Sequence, residues 1–356
     1  MPGAVPLGAS WQESRCPRRQ RWSRTFSQRT GLSPNLFRSP QVHPFDAQVR
    51  AQATHRATPV SARSARALPD CGSTTNEEPT LEERVTIEVA DGVADVRLNR
   101  PDKLNALDGA MFRAIAAAGD AVAADRSVRA VVLSGEGRGF CAGLDIASFM
   151  GGGGTSEDPP VADDGPTEGF GLLGGRTEGR IANLAQQVAY TWTSMPVPVI
   201  AAVHGVALGG GIQIALGADI RIVAPDAKMS VLEIRWGLLP DMTGVQSLVR
   251  LVGLDRAKEL AFTGRFLSGT EAVELGVATR VADDPRAAAH ELAAEIAGKN
   301  PMAIRGMKAL FNDAGTRPLV DSFKEETRLM AELIGSPNQM EAVMANMQKR
   351  DPVFSD

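Results

Sequence analysis

Two carboxylates, Glu233 and Asp241, stand eight residues apart in LEIRWGLLPDMTG (232–244), a stretch otherwise apolar and punctuated by glycine. Only Arg235 lies near them in sequence to neutralise their charge. A carboxylate in apolar surroundings is costly unless paired, and desolvation raises its pKa. That is the profile of a general acid or base. The plainer readings are an Arg235 salt bridge for Glu233 and, for Asp241, a helix N-cap before MTGVQSLVRL.

Acids of this kind need a reacting group held beside them, and two glycine loops offer the means. SGEGRGFCAGLDI (134–146) and HGVALGGGIQIA (204–215) each run from a strand-like segment toward a helix-like one. Glycine lets the backbone approach a ligand and leaves N–H groups pointing outward. Two such loops can aim two donors at one oxygen, which is an oxyanion hole.

Other chemistries fail on spacing. Neither loop reads G-x-G-x-x-G, no Walker-type ending occurs, and no G-x-S-x-G elbow makes Ser134 a nucleophile. His204 reads as a packed, hydrogen-bonded residue and Cys141 as small filler beside its loop. Three scattered cysteines (Cys16, Cys71, Cys141) provide neither a disulfide framework nor a zinc set.

The elements that position these groups begin at Thr80. Val85, Ile87 and Val89 alternate into an Asp91-Gly92 turn, and Ala94, Val96 and Leu98 return from it, a β-hairpin. Asp108 caps a helix through about Val122. VRAVVLSG, PVPVIAAV and IRIVA read as short buried strands, and 181–194 as a helix. Strands alternating with helices predict a stack of ββα units. After Pro240 the chain is mostly helical, with a Ser268–Glu271 capping box, helices near 284–298, 302–313 and 318–334, and a last one opening at Ser336-Pro337. Residues 151–178 form a long loop rich in glycine, proline and acids.

Charge divides the chain. From Met1 to Pro69 there are eleven arginines, no lysine, and only Glu13 and Asp46, a balance of +9. The whole chain carries −4, which leaves −13 for the remainder. Residues 1–79 therefore read as a basic targeting segment and linker, suited to a mitochondrion or a chloroplast. If translation starts further downstream, the expectation becomes a cytoplasmic protein. The acidic remainder disfavours a nucleic-acid partner, and no apolar run is long enough to span a membrane. Residues 80–280 form the core by this reading, and 281–356 a helical region serving assembly or covering the site.

LNRPDKLNAL, GRGFCAGLDI, PVPVIAAVHGVALGGGIQIALGADIRI and LEIRWGLLPDMTGVQSLVRLVG together resemble the crotonase family, the enoyl-CoA hydratases and isomerases. The resemblance covers roughly 82–353. It implies a crotonase-like α/β fold, a stack of ββα units followed by a helical C-terminal region, assembled as a homotrimer or homohexamer. It also implies chemistry on an acyl-CoA thioester, with its enolate held by two backbone N–H groups carried over to Ala142 and Gly210. Losing one such donor typically costs ~3–4 kcal/mol of transition-state stabilisation. Lys103 and Ala106 of KLNAL, and Gly143, Asp145 and Ile146 of AGLDI, match segments that hold the CoA moiety. Trp236 and Phe170 are candidates for the acyl pocket, Trp236 equally for the core. No metal or redox cofactor is implied, since CoA arrives with the substrate.

The hydratases of the family place two glutamates around a water. One matches Glu233. The other falls on Gln213, a substrate-facing position whose neutral amide cannot take a proton, which argues against two-acid hydration. The dienoyl-CoA isomerases add an aspartate where this chain has Asp241 and share the longer loop before PVPVIAAVHG, although they carry an aspartate at the Gln213 position. The expectation is an isomerase moving a 3,5-dienoyl-CoA to the 2,4-dienoyl-CoA in fatty acid β-oxidation, with Glu233 and Asp241 shuttling the proton. The rivals are a hydratase using Glu233 alone, a 3-to-2-enoyl-CoA isomerase, and a non-catalytic CoA- or RNA-binding protein of the same fold.

Overall fold

A computed structural model describes residues 84–150, 176 and 179–356, without the side chains of Phe149 and Met150. Residues 1–79, Phe170 and, apart from Arg176 and Gly179 onward, the loop after Met150 lie outside that set. Everything described belongs to the unit Thr74–Asp356.

The expected hairpin forms from β1 (Val85–Ala90) and β2 (Val93–Leu98), antiparallel with Ala90 opposite Val93. Asp91 and Gly92 both take positive φ, 51° and 78°, the twist a two-residue hairpin turn demands. Burial does not follow the alternation evenly. Ala94, Val96 and Leu98 are buried, whereas Ile87 and Val89 remain exposed, because β1 is the edge strand and packs less against the core.

Asp108 accepts from Met111 N and starts α1 (Gly109–Ala124), as the sequence predicts. β3 (Ala130–Gly135), α2 (Ile146–Met150), α3 (Leu184–Ser194), β4 (Val199–Val203), β5 (Val206–Leu208), α4 (Gly210–Gly217), β6 (Ile220–Val223) and β7 (Lys228–Ser230) follow. The helical region comprises α5 (Gly244–Val252), α6 (Leu254–Thr263), α7 (Gly269–Leu275), α8 (Pro285–Ala297), α9 (Pro301–Asp313), α10 (Leu319–Leu333) and α11 (Pro337–Gln348), with the short strand β8 (Arg280–Val281) before α8. Ser336 caps α11 and Pro337 opens it. Only half of the Ser268 capping box forms. Ser268 caps α7, but the Glu271 carboxylate accepts from Arg265 at 2.6 Å instead of reaching back.

The main sheet runs β1-β2-β3-β4-β6-β8, parallel after the first pair, and a second, two-stranded parallel sheet joins β5 and β7. Apolar side chains on both faces of β3, β4 and β6 explain their near-continuous hydrophobic runs. Val131, Leu133, Ala201 and Val203 face the larger core with α1, α3 and α4. Val132, Ile200, Ala202 and Ile222 meet Ala289, Ala293 and Ala297 of α8 on the other face. Among the described residues no helix is long and apolar enough to cross a membrane.

Candidate active site

The first loop is a strand laid between two neighbours. Cys141 N donates to Val206 O at 2.9 Å, and Leu208 N donates to Cys141 O at 3.0 Å. On the other side Ala142 N donates to Leu104 O at 2.9 Å, Leu107 N to Gly143 O at 2.8 Å, and Asp145 N to Leu107 O at 2.9 Å. These bonds correct one expectation. The Ala142 N–H is spent on Leu104, so Ala142 is not a free donor. Leu144 is the residue bridged to Leu107, and in a parallel bridge its own N–H faces the opposite side. That N–H donates to no group among the described residues.

Gly210 opens α4, and its N–H likewise donates to no described group. It is a first-turn donor at the positive end of the helix. Gly143, at φ +85°, abuts this loop so closely that a Cβ on it would stand 3.3 Å from Gly210 N. The two free donors therefore belong to adjoining segments, Leu144 and Gly210.

The acids sit beside them. Glu233 begins a short 3-10 turn, Glu233–Trp236, and is 8% exposed. Its carboxylate lies against Gly209, where a Cβ would be 3.5 Å from Oε1. Gln213 Nε2 donates to Glu233 Oε1 at 2.6 Å, while Glu233 Oε2 is buried with no partner among the described residues. Burial pushes the Glu233 carboxyl up; its own backbone N–H and Gln213 oppose this, and the charge of Asp241 adds to it. Asp241, half-buried on the following turn, is also raised by burial.

Both plainer readings of the acids fail. Arg235 is exposed and forms no ion pair with Glu233 among the described residues. The N-cap of α5 is Thr243, two residues past Asp241, and no side chain of its own caps it. Thr243 sits at φ +65°, so the helix starts later than a cap at Asp241 would allow.

The chain is similar to several proteins of known kind. The family described as enoyl-CoA hydratase/isomerase matches residues 93–289. This chain belongs to that family. It is 35% identical over 270 residues to 1,2-epoxyphenylacetyl-CoA isomerase of Escherichia coli (strain K12), covering 75% of this chain and 96% of the relative. It is 30% identical over 270 residues to the mitochondrial methylglutaconyl-CoA hydratase of Mus musculus, covering 74% of this chain and 79% of the relative. Among solved structures, the enoyl-CoA hydratase of Bacillus anthracis matches with TM-score 0.65 and 28% identity, over 76% of this chain and 98% of that one. Membership makes the protein an enzyme of the hydratase/isomerase group, of crotonase fold.

Several of the sequence-derived positions are engaged within the protein. Asp145 is paired with Arg100 at 2.8 Å; burial works against its charge, but hydrogen bonds from Arg100 and Ser148 hold it below the usual carboxylate range. Ile146 begins α2 and donates to Leu144 O, and Ala106 is buried. Lys103 is exposed at the end of a 3-10 turn. Gln213 is buried, with its carbonyl and an N–H engaged by protein. Trp236 is 58% exposed and is not core.

His204 bonds Gly137 O at 3.0 Å, and Cys141, buried, has its thiol pushed up to about 12 by desolvation; both fit the plain readings. A cavity of about 350 Å³ between α1 and α3, touching Asp120, Arg180 and Tyr190, shares no residue with the site.

Two residues escaped the sequence reading. Leu144 has an ordinary apolar side chain, and only its backbone matters. Asn105, fully buried at φ +56°, donates from Nδ2 to Glu136 O, Gly139 O and Phe140 O and accepts from Arg100 N at 2.7 Å. It ties the KLNAL turn to the first glycine loop. An asparagine, a residue that adopts the left-handed region more readily than most, set between Leu104 and Ala106 was the available signal.

Proposed function

We propose that the protein isomerises acyl-CoA double bonds, converting a 3,5-dienoyl-CoA to the 2,4-dienoyl-CoA. The thioester oxygen sits between the N–H groups of Leu144 and Gly210, which stabilise the charge that forms when the C2 proton leaves. One carboxylate takes that proton, and the C2–H electron pair enters the dienolate. As C6 takes a proton from the other carboxyl, the double bonds settle at C2 and C4. No atom is added or lost, and no metal or redox cofactor is needed for this chemistry. Two carboxyls with raised proton affinity are suited to exchange.

The observation that carries the reading is the amide at 213. An amide donating to Glu233 leaves one acid, not two, to position a water, and Asp241 supplies a second acid eight residues further on. A hydratase working through Glu233 alone is the second reading, favoured by the name of the mitochondrial relative. That relative, with the basic first segment, also supports mitochondrial targeting. The apolar outer faces of the C-terminal helices support a homotrimer or homohexamer.

The test is to give the full chain a 3,5-dienoyl-CoA and follow the near-ultraviolet absorbance of the conjugated product, with Glu233→Gln and Asp241→Asn alongside. Both variants are expected to fall by about 10²–10⁴-fold. Parent-like turnover by Asp241→Asn defeats the shuttle. Consumption of a 2-enoyl-CoA to a 3-hydroxyacyl-CoA, with no diene shift, installs the hydratase.

A further inference from the structure

The Gln213 side chain hydrogen-bonds to both acid-bearing segments. Its Nε2 donates to Glu233 Oε1 at 2.6 Å, and its Oε1 accepts from Met242 N at 2.9 Å and Gly244 N at 3.1 Å. Those two backbone donors can be served only by a carbonyl oxygen, which fixes which way the amide faces. Within the turn Gln246 N and Ser247 N donate to Thr243 O, and the Met242 side chain is buried in the core. Thr243 lies at φ +65°, its buried hydroxyl has no partner among the described residues, and its side chain makes no capping bond to α5. A Cβ on Gly244 would stand 2.7 Å from Gln213 Cγ, so the amide stem fills the space beneath the turn. Asp241 immediately precedes it.

We propose that Gln213 is the positioning residue that couples the two acids: it holds Glu233 Oε1, which makes Oε2 the transferring oxygen, and it fixes the turn that presents Asp241. An N–H donor favours the charged form of the carboxylate it meets. Glu233 receives that donor, which opposes the rise that burial and the charge of Asp241 impose on it. Glu233 Oε1 is occupied, so proton exchange falls to Oε2, which is buried with no partner among the described residues.

The other charged groups around Glu233 leave this arrangement in place. Helix α4 contributes no ionisable side chain, the turn contributes Asp241, and Arg235 on Glu233's own turn is exposed. Helix α6 packs on that turn and carries Asp255, Arg256, Lys258 and Glu259. None of these pairs with Glu233, and Glu259 is engaged by Arg265.

The proposal rests on the isomerase reading for the use of the two acids, but its core is measurable in the substrate-free protein. The experiment is an infrared titration of the protonated carboxyl band of Glu233 in the full chain, isolated by subtracting Glu233→Gln in each background. Gln213→Met removes donor and acceptor, and the Glu233 midpoint is expected to rise by about one to two pH units. If Gln213→Met does not fold, Gln213→Glu decides, because its carboxylate still accepts from Met242 and Gly244. There the new acid and Glu233 titrate as a pair, with the last proton leaving above the parent midpoint. A Glu233 midpoint unchanged in the folded variant overturns the proposal. A shifted midpoint in a protein that does not isomerise dienoyl-CoA keeps Gln213's hold on Glu233 and discards the substrate assignment.

Discussion

Gly143 packs directly against Leu208: a methyl group in place of its hydrogen would stand 2.4 Å from the Leu208 carbonyl oxygen. At φ +85° the position also disfavours any side chain. Gly143→Ala must therefore shift the first loop away from the second and separate the N–H groups of Leu144 and Gly210. The expected result is a fall in kcat of about 10²–10³-fold, the typical loss for one oxyanion donor, with a smaller change in KM. Steady-state kinetics on the acyl-CoA substrate check this. Parent-like kcat removes the two loops from the chemistry.

Glu233 sets function against stability. Burial raises its carboxyl above the unfolded value, so the native state holds the proton more tightly than the unfolded state does. The stability this supplies is complete below the ordinary carboxylate range and is lost as pH rises through the folded pKa. Glu233→Gln keeps the shape and removes the charge. We expect it to melt higher than the parent at pH 8, by about 2–4 °C for each kcal/mol relieved, with the gap closing as pH falls toward 4.5, the ordinary value for glutamate. Thermal melts across that range decide it, and a gap that widens on acidification reverses the sign argued here.

Away from the site, Lys308 on α9 reaches into the sheet layer. Its Nζ donates to Trp192 O at 3.1 Å, Val197 O at 2.9 Å and Asp219 Oδ2 at 2.7 Å. Burial lowers the Lys308 pKa and raises that of Asp219, the cost of setting this pair inside. Lys308→Met leaves the part-buried Asp219 with Arg221 as its remaining nearby cation, a change that costs about 3–5 kcal/mol at a fully buried pair and less here. Urea unfolding is expected to show that loss, while kcat of the folded variant stays at the parent value. A loss below 1 kcal/mol would mean that water reaches Asp219 and substitutes for the lysine.

Much of this fold was legible because local chemistry and tertiary packing agree. Asp108 and Ser336 cap the helices their spacing announces, and the Asp91-Gly92 turn sets the hairpin register. The failures have physical reasons. Ser268 and Glu271 have capping-box spacing, but Arg265 competes for the glutamate. Asp241 precedes a helix and still does not cap it, because Gln213, 28 residues earlier, takes up the backbone donors of the turn. The two free N–H groups, of Leu144 and Gly210, are the least legible part. Whether an N–H is free depends on which neighbour it meets, and Leu104 claims Ala142 through a turn that no local pattern records.

Helix α10 buries no residue. Leu319, Phe323, Met330 and Ile334 line up at helical spacing on an exposed side, while Leu329 faces Gly306 of α9. A long apolar stripe left in water is unfavourable for a free monomer and marks an interface. Sedimentation of the parent is therefore expected to give the mass of a trimer or hexamer. Phe323→Glu with Met330→Glu places charges at the centre of the stripe, and burying them unpaired is costly. That double variant is expected to sediment as a smaller species while keeping its helical circular dichroism. A parent that sediments as a monomer leaves the stripe without a self-association role, and a double variant of unchanged mass moves the contact to another face.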